Sequence, residues 1–150
     1  MSLFVFTACG GEKAKMLDKE KAVENLDALT LQEEDGTYPL FSNLAEMDDT
    51  AAAVYNVDTS LFSDYTIKMP MINVRANLYV LARPVEGKEE EAKANLDAFM
   101  DSYEEQWERY LPDQYELVKA RKVGEVGGYY VYLISADNDA AWRAVESALS

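Results

Sequence analysis

Residues Asn73–Arg83 read NVRANLYVLAR. Val74, Ala76, Leu78, Val80 and Ala82 fall on one side of an extended chain, and Arg75, Asn77, Tyr79, Leu81 and Arg83 on the other. Side chains alternate across a strand with a period of two, so the spacing predicts a strand with an apolar face and a mixed one. Pro84 and Gly87 end it. The apolar face has to be covered, and the next segment of the chain supplies the cover.

From Lys88 to Arg109 the period changes. Ala92, Leu96, Phe99, Met100, Tyr103, Trp107 and Tyr110 recur at three and four, while Glu90, Asp97, Asp101, Glu104, Glu105 and Glu108 occupy the opposite side. This predicts one long amphipathic helix, stopped by Pro112. The strand-like runs Leu117–Val126 and Tyr129–Ser135 flank Gly127-Gly128, which predicts a hairpin. Asp137-Asn138-Asp139 then caps a last helix, Ala140–Leu149, with Ala141, Trp142, Val145 and Leu149 inward.

Upstream, Tyr65–Met69 alternates up to Pro70 and predicts another strand. Residues Ala14–Leu29 predict a helix with Ala22, Val23, Leu26 and Leu29 inward, and Glu33–Pro39 a turn or loop. A second helix is expected over Leu44–Tyr55, broken by Asn56–Ser60. The order is ααββαββα. The fold class expected is α+β: an antiparallel sheet of about four strands packed with helices, in one domain over residues 16–150.

Composition narrows the partners and the chemistry. The 150 residues carry a net charge of −14, the wrong sign for phosphate binding, so nucleic acid is not expected as a partner. No apolar run reaches the roughly 18–20 residues of a membrane span. The chain has no histidine and one cysteine. The usual proton shuttle near neutral pH is therefore missing, with every Ser-His, Cys-His or zinc-histidine mechanism. No cofactor is expected, and no Gly-rich phosphate loop is present, because Gly127-Gly128 sits in a hairpin rather than before a helix.

The single cysteine has an informative setting. Leu3-Phe4-Val5-Phe6 is apolar, Thr7-Ala8 is small, Cys9-Gly10-Gly11 follows, and Glu12, Lys13 and Lys15 turn the chain polar. An apolar region ending in small residues is the order of a secretory signal. With cysteine next, it resembles the lipobox of bacterial lipoproteins, in which that sulfur is diacylglycerated. Eight residues precede Cys9, none of them basic, whereas a whole signal takes about 15–30 with a basic start. Residues 1–15 are therefore read as the end of a signal segment, a lipobox and a short tether. A buried N-terminal strand with a core cysteine is the alternative.

From about Leu40 onward the pattern resembles the bacterial family catalogued as domain of unknown function 4358. The resemblance rests on INVRANLYVLA, the long helix after it, WERYLPDQYELV at its end, GGYYVYLIS, and the Asp137-Asn138-Asp139 turn into the final helix. Members of that family are commonly small lipoproteins with a CGG start, which TACGG matches. The resemblance implies a surface lipoprotein of a Gram-positive-type bacterium. It implies no activity and carries no catalytic residue onto this chain.

Several groups could carry chemistry. Asp48-Asp49, Glu104-Glu105, Asp137 and Asp139 supply carboxylates, but neighbouring carboxylates on a helix face are ordinarily solvated charge, and an Asp before a helix is a cap. Asp137-Asn138-Asp139 lacks the Gly and distal Glu of a calcium loop. Phe99, Tyr103, Trp107 and Tyr110 lie on a core stripe. One grouping is less expected. If Val74, Ala76, Leu78 and Val80 face the helices with Val118, Ala120, Val131 and Leu133, then Arg75, Tyr79, Arg83, Lys119, Arg121, Tyr130 and Tyr132 share the outer face, joined by Lys68. Arg and Tyr suit anion and carbohydrate contacts, so this face is the candidate ligand-binding surface. A cover by the acidic N-terminal segment, or plain solvation of alternating charge, accounts for the same pattern.

The expected function is a lipid-anchored domain on the outer face of the bacterial cytoplasmic membrane. It would bind an anionic ligand or an envelope protein partner without catalysis. A carboxylate-dependent hydrolase of cell-wall polymers and a structural subunit of an envelope complex are the alternatives.

Overall fold

The strand at the centre of the sequence pattern becomes the middle of the sheet. In the computed structural model, which describes residues 15–150, strand β5 (Leu78–Pro84) has a neighbour on each side and is buried from Leu78 to Ala82. Before it come helix α1 (Lys19–Asp27), a hairpin of β1 (Thr30–Glu33) and β2 (Gly36–Pro39), the short strand β3 (Leu44–Glu46), helix α2 (Asp49–Val54), a 3₁₀ turn at Thr59–Leu61 and β4 (Phe62–Pro70). After it come α3 (Glu89–Glu108), α4 (Pro112–Lys119), β6 (Lys122–Val126), β7 (Tyr129–Ile134) and α5 (Asn138–Glu146). The main sheet is antiparallel, in the order β3-β4-β5-β7-β6, and β1-β2 forms a separate two-stranded sheet. The α+β class holds, with one more strand in the main sheet than the sequence pattern indicated.

Helices cover both sides of the sheet. On one, Ala92, Leu96, Phe99, Met100, Tyr103 and Trp107 of α3 pack with Val118 of α4 on Leu78, Val80, Ala82, Tyr132 and Ile134. On the other, Ala22 and Leu26 of α1 and Ala141, Ala144 and Val145 of α5 pack on Tyr79, Leu81, Val131 and Leu133. A strand with apolar cover on two sides has no solvated face, so the mixed side of β5 is interior. Among the described residues, no helix is long and apolar enough to cross a membrane.

The hairpin at Gly127-Gly128 forms as expected, with φ of 55° and 88°. Those are values that glycine adopts freely and that suit a tight two-residue turn. Asp137 caps α5, its carboxylate accepting from the Ala140 N–H at 3.0 Å.

Four local readings are corrected. The strand starts at Leu78, not Asn73, because the backbone before it bonds to side chains. The Ala76 N–H donates to Gln114 Oε1 at 2.8 Å, and the Ala76 carbonyl accepts from the Tyr103 hydroxyl at 3.1 Å. The strand expected over Leu117–Val126 starts only at Lys122, because Leu117–Lys119 close α4, for which Pro112 is an opening residue rather than only a stop. Leu44–Glu46 is an edge strand, and its helix begins only after the Asp48 cap. Gly36–Pro39 is a strand paired with Thr30–Glu33, so the turn or loop expected over Glu33–Pro39 is the turn of a hairpin.

Candidate functional site

The register of the sheet disperses the expected Arg/Lys/Tyr face. Val80 pairs with Tyr132, Leu81 with Val131 and Ala82 with Tyr130. Tyr130 and Tyr132 therefore lie on the α3 side, whereas Tyr79, Arg83 and Lys68 lie on the α1 side. The expectation was out by one residue in the hairpin, and a one-residue slip turns every side chain over. Lys119 belongs to α4, and Arg121 to the link after it.

Three of the tyrosines end on carboxylates, and each carboxylate also holds a lysine. Tyr79 donates to Asp27 Oδ1 at 2.8 Å, while Lys68 Nζ meets Asp27 Oδ2 at 2.6 Å. Tyr129 donates to Asp64, and Lys19 Nζ lies 2.6 Å from the same carboxylate. Tyr132 donates to Asp97 Oδ1 at 2.6 Å, and Lys93 Nζ lies 2.7 Å from Asp97 Oδ2. The first two triads pin the two ends of α1 to the sheet; the third pins α3 to the other side. Burial and the adjoining carboxylate hold the phenols of Tyr79, Tyr129 and Tyr132 far above their ordinary value. Burial alone would raise Asp64 and Asp97, but hydrogen bonds from Lys19 and Tyr129, and from Lys93 and Tyr132, hold them below the usual carboxylate range.

The remaining expected site residues divide further. Arg121 is spent on Glu104 at 2.7 Å and on the Val118 carbonyl at 3.0 Å. Lys119 pairs with Glu116 at 2.9 Å and lies over the Tyr115 ring. Arg83 and Tyr130 do come together, from opposite faces at the end of the sheet, in the lining of a surface pocket of about 460 Å³ beside Ser63, Glu86, Glu125 and Gly128. Arg83 donates to Ser63 Oγ at 3.0 Å, and the Tyr130 hydroxyl donates to the Glu89 carbonyl at 3.1 Å. Arg75 stands in the β4–β5 loop and makes no ion pair among the described residues.

That loop is where the structure adds what sequence reasoning missed. Met71, Ile72 and Val74 are 65%, 55% and 52% exposed, and Tyr110, just past α3, is 54% exposed. Asn73, Gln106, Arg109 and Tyr110 line a second pocket of about 440 Å³. Arg109, like Arg75, makes no ion pair among the described residues. The available signal was Met71-Ile72 directly after Pro70, an apolar pair at a strand end with no strand left to occupy.

Comparison with known proteins adds one finding. The family described as Domain of unknown function (DUF4358) matches residues 41–135, more than half of the chain. The chain belongs to the DUF4358 family. No curated protein and no solved structure matches it. The DUF4358 match holds all five strands of the main sheet with α2, α3 and α4, and both pockets. Helices α1 and α5, which close the second side of the sheet, lie outside the match.

Proposed function

We propose that this DUF4358 chain is a non-catalytic binding domain, held by a lipid on Cys9 at the outer face of the bacterial cytoplasmic membrane. It takes a ligand or an envelope protein partner at the end of the sheet bearing the β4–β5 loop. The observation that carries the binding part is the contrast between Arg75 and Arg109, free of ion pairs among the described residues and set beside exposed apolar side chains, and the other candidate cations and phenols, most of which are bonded internally. The absence of histidine supports a role other than acid–base catalysis. TACGG supports the anchor, and two acyl chains hold a protein stably where one is marginal.

The test of the anchor is fatty-acid labelling of the protein expressed with its native upstream region, beside Cys9→Ala. Label that depends on Cys9 is expected; equal label, or none, would remove the anchor. The alternative hydrolase has one observation in its favour: Glu86 and Glu125 both line the pocket that holds Arg83 and Tyr130. Release of sugar fragments from wall polymer, lost in Glu86→Gln with Glu125→Gln, would favour it over the binding domain.

A further inference from the structure

Strand β5 runs between the two ends of the sheet, which are about 20 Å apart for a strand of this length. The chain enters the domain at one end. Leu17 N–H donates to the Gly127 carbonyl at 3.1 Å, and Met16 N–H to the Ser150 carbonyl at 3.3 Å, beside the β6–β7 turn. The β4–β5 loop is at the other end, next to Leu78. The chain's entry at Met16 and Leu17 is therefore at the end of the fold opposite Met71, Ile72 and Val74.

The loop is held from below and open above. The Met71 N–H donates to the Asn43 carbonyl at 2.9 Å, Ala76 is held through both its backbone groups, and buried Asn77 donates to the Leu40 carbonyl at 2.7 Å. The apolar side chains thus stand on a loop anchored at both ends, which lowers the ordering cost of binding. Tyr110 packs against buried Trp107, with ring centroids 5.5 Å apart. The Trp107 indole N–H has no hydrogen-bond partner among the described residues.

Resting on the binding-domain reading, we propose that Met71, Ile72, Val74 and Tyr110, with Arg75 and Arg109, form a docking surface for a short segment of a partner protein that carries carboxylates among apolar residues. Charge selects this occupant. Arginines without internal partners among the described residues, set among exposed apolar side chains, fit carboxylates by forked hydrogen bonds. A second copy of the chain does not fit: it would bring another net charge of −14, and in a two-fold contact the same arginines would meet one another. A membrane surface does not fit either, because the loop is at the end of the fold away from Met16 and Leu17, where the chain that carries Cys9 enters.

The test uses the full chain carrying Cys9→Ala and synthetic peptides that alternate Glu or Asp with Leu, Ile or Tyr, beside counterparts with Lys at each acidic position. Binding is followed by the emission of Trp107, with Trp142 on the other side of the sheet as an internal control. The acidic peptides are expected to bind and the lysine peptides not. Arg75→Glu with Arg109→Glu is expected to weaken the acidic peptides roughly tenfold or more, and Ile72→Ser with Val74→Ser to do the same, with denaturant midpoints unchanged because all four side chains are exposed. Equal binding of both peptide sets, binding of neither, or no effect of the arginine substitutions would overturn the proposal. So would a dimer in sedimentation that those substitutions abolish, or binding to phosphatidylglycerol vesicles that Ile72→Ser abolishes. Cys9-dependent labelling with no peptide binding would leave the anchor standing and remove this surface; the reverse pattern would do the opposite.

Discussion

Asp27 ends α1 and holds two side chains of the sheet, so replacing it probes how α1 is fastened. In Asp27→Ala the fully buried Tyr79 loses the acceptor for its hydroxyl, now at 2.8 Å, and Lys68 loses its partner at 2.6 Å. A buried hydroxyl left without a partner costs about 1–3 kcal/mol. The ion pair is half-exposed, with Lys68 and Asp27 side chains 21% and 40% accessible, and is worth about 0.2–1 kcal/mol. The sum is about 1–4 kcal/mol, or roughly 2–16 °C in melting temperature for a chain of this length. Tyr79→Phe removes the donor and leaves Asp27 with Lys68 and water, so it costs only about 1 kcal/mol. In the Tyr79→Phe background, Asp27→Ala loses only the ion pair, and a coupling of at least about 1 kcal/mol is expected between the two sites. Urea unfolding of the four proteins, with fluorescence and circular dichroism, measures this cycle. A cost under about 0.5 kcal/mol for Asp27→Ala, or the same cost in both backgrounds, would refute the fastening role.

Further predictions concern pH and the turn. Asp64 and Asp97 are held below the ordinary carboxylate value of 3.8, so their contribution is present above about pH 4 and is lost as pH falls through their depressed values. Asp64→Asn with Asp97→Asn is expected to lower stability at neutral pH and to flatten the acid limb of a stability-against-pH curve; a limb parallel to wild type would contradict the assignment. Of the ten tyrosines, Tyr79, Tyr103, Tyr129 and Tyr132 have the most strongly raised values, chiefly through burial, ahead of Tyr38 and Tyr130. Raised values mean stability present below about pH 10 and lost as pH rises. Tyrosinate absorbance should therefore miss these four until the chain unfolds, and their ordinary titration in the folded chain would be the adverse result. Gly127→Ala adds a Cβ only 2.4 Å from the Leu17 backbone nitrogen at a positive φ, and is expected to cost about 2 kcal/mol or more by urea unfolding. At Gly128 the nearest atom is Met16 Cε at 3.6 Å, so Gly128→Ala should cost less; the opposite ranking would show that Leu17 is not seated on the turn.

Local patterns were enough for much of the architecture. The helical period of Ala92–Trp107 placed α3, the glycine pair placed the β6–β7 hairpin, and Asp137 placed the start of α5. Each depends on residues within a turn or two of one another, where sterics and hydrogen bonding act along the chain. Misreadings arose where a distant partner outweighed the local preference. Asn73–Asn77 has strand-like alternation, yet Gln114, Tyr103 and Leu40 take its polar groups.

The candidate surface shows the same division more sharply. Composition by itself established an acidic chain without histidine, and alternation established that Tyr79 and Arg83 share one side of an extended segment. Which side of the sheet the tyrosines of the next hairpin take depends on register, set by pairing between Val80 and Tyr132, 52 positions apart. Whether a basic side chain is free depends on which carboxylate the fold brings to it: Asp27 reaches Lys68 across 41 positions, whereas none reaches Arg75 or Arg109 among the described residues. Ion pairs and buried hydroxyls are satisfied in space rather than along the chain. The sequence therefore determined which charged and apolar side chains the chain carries, and only the tertiary structure decided which of them are paired inside and which stay exposed.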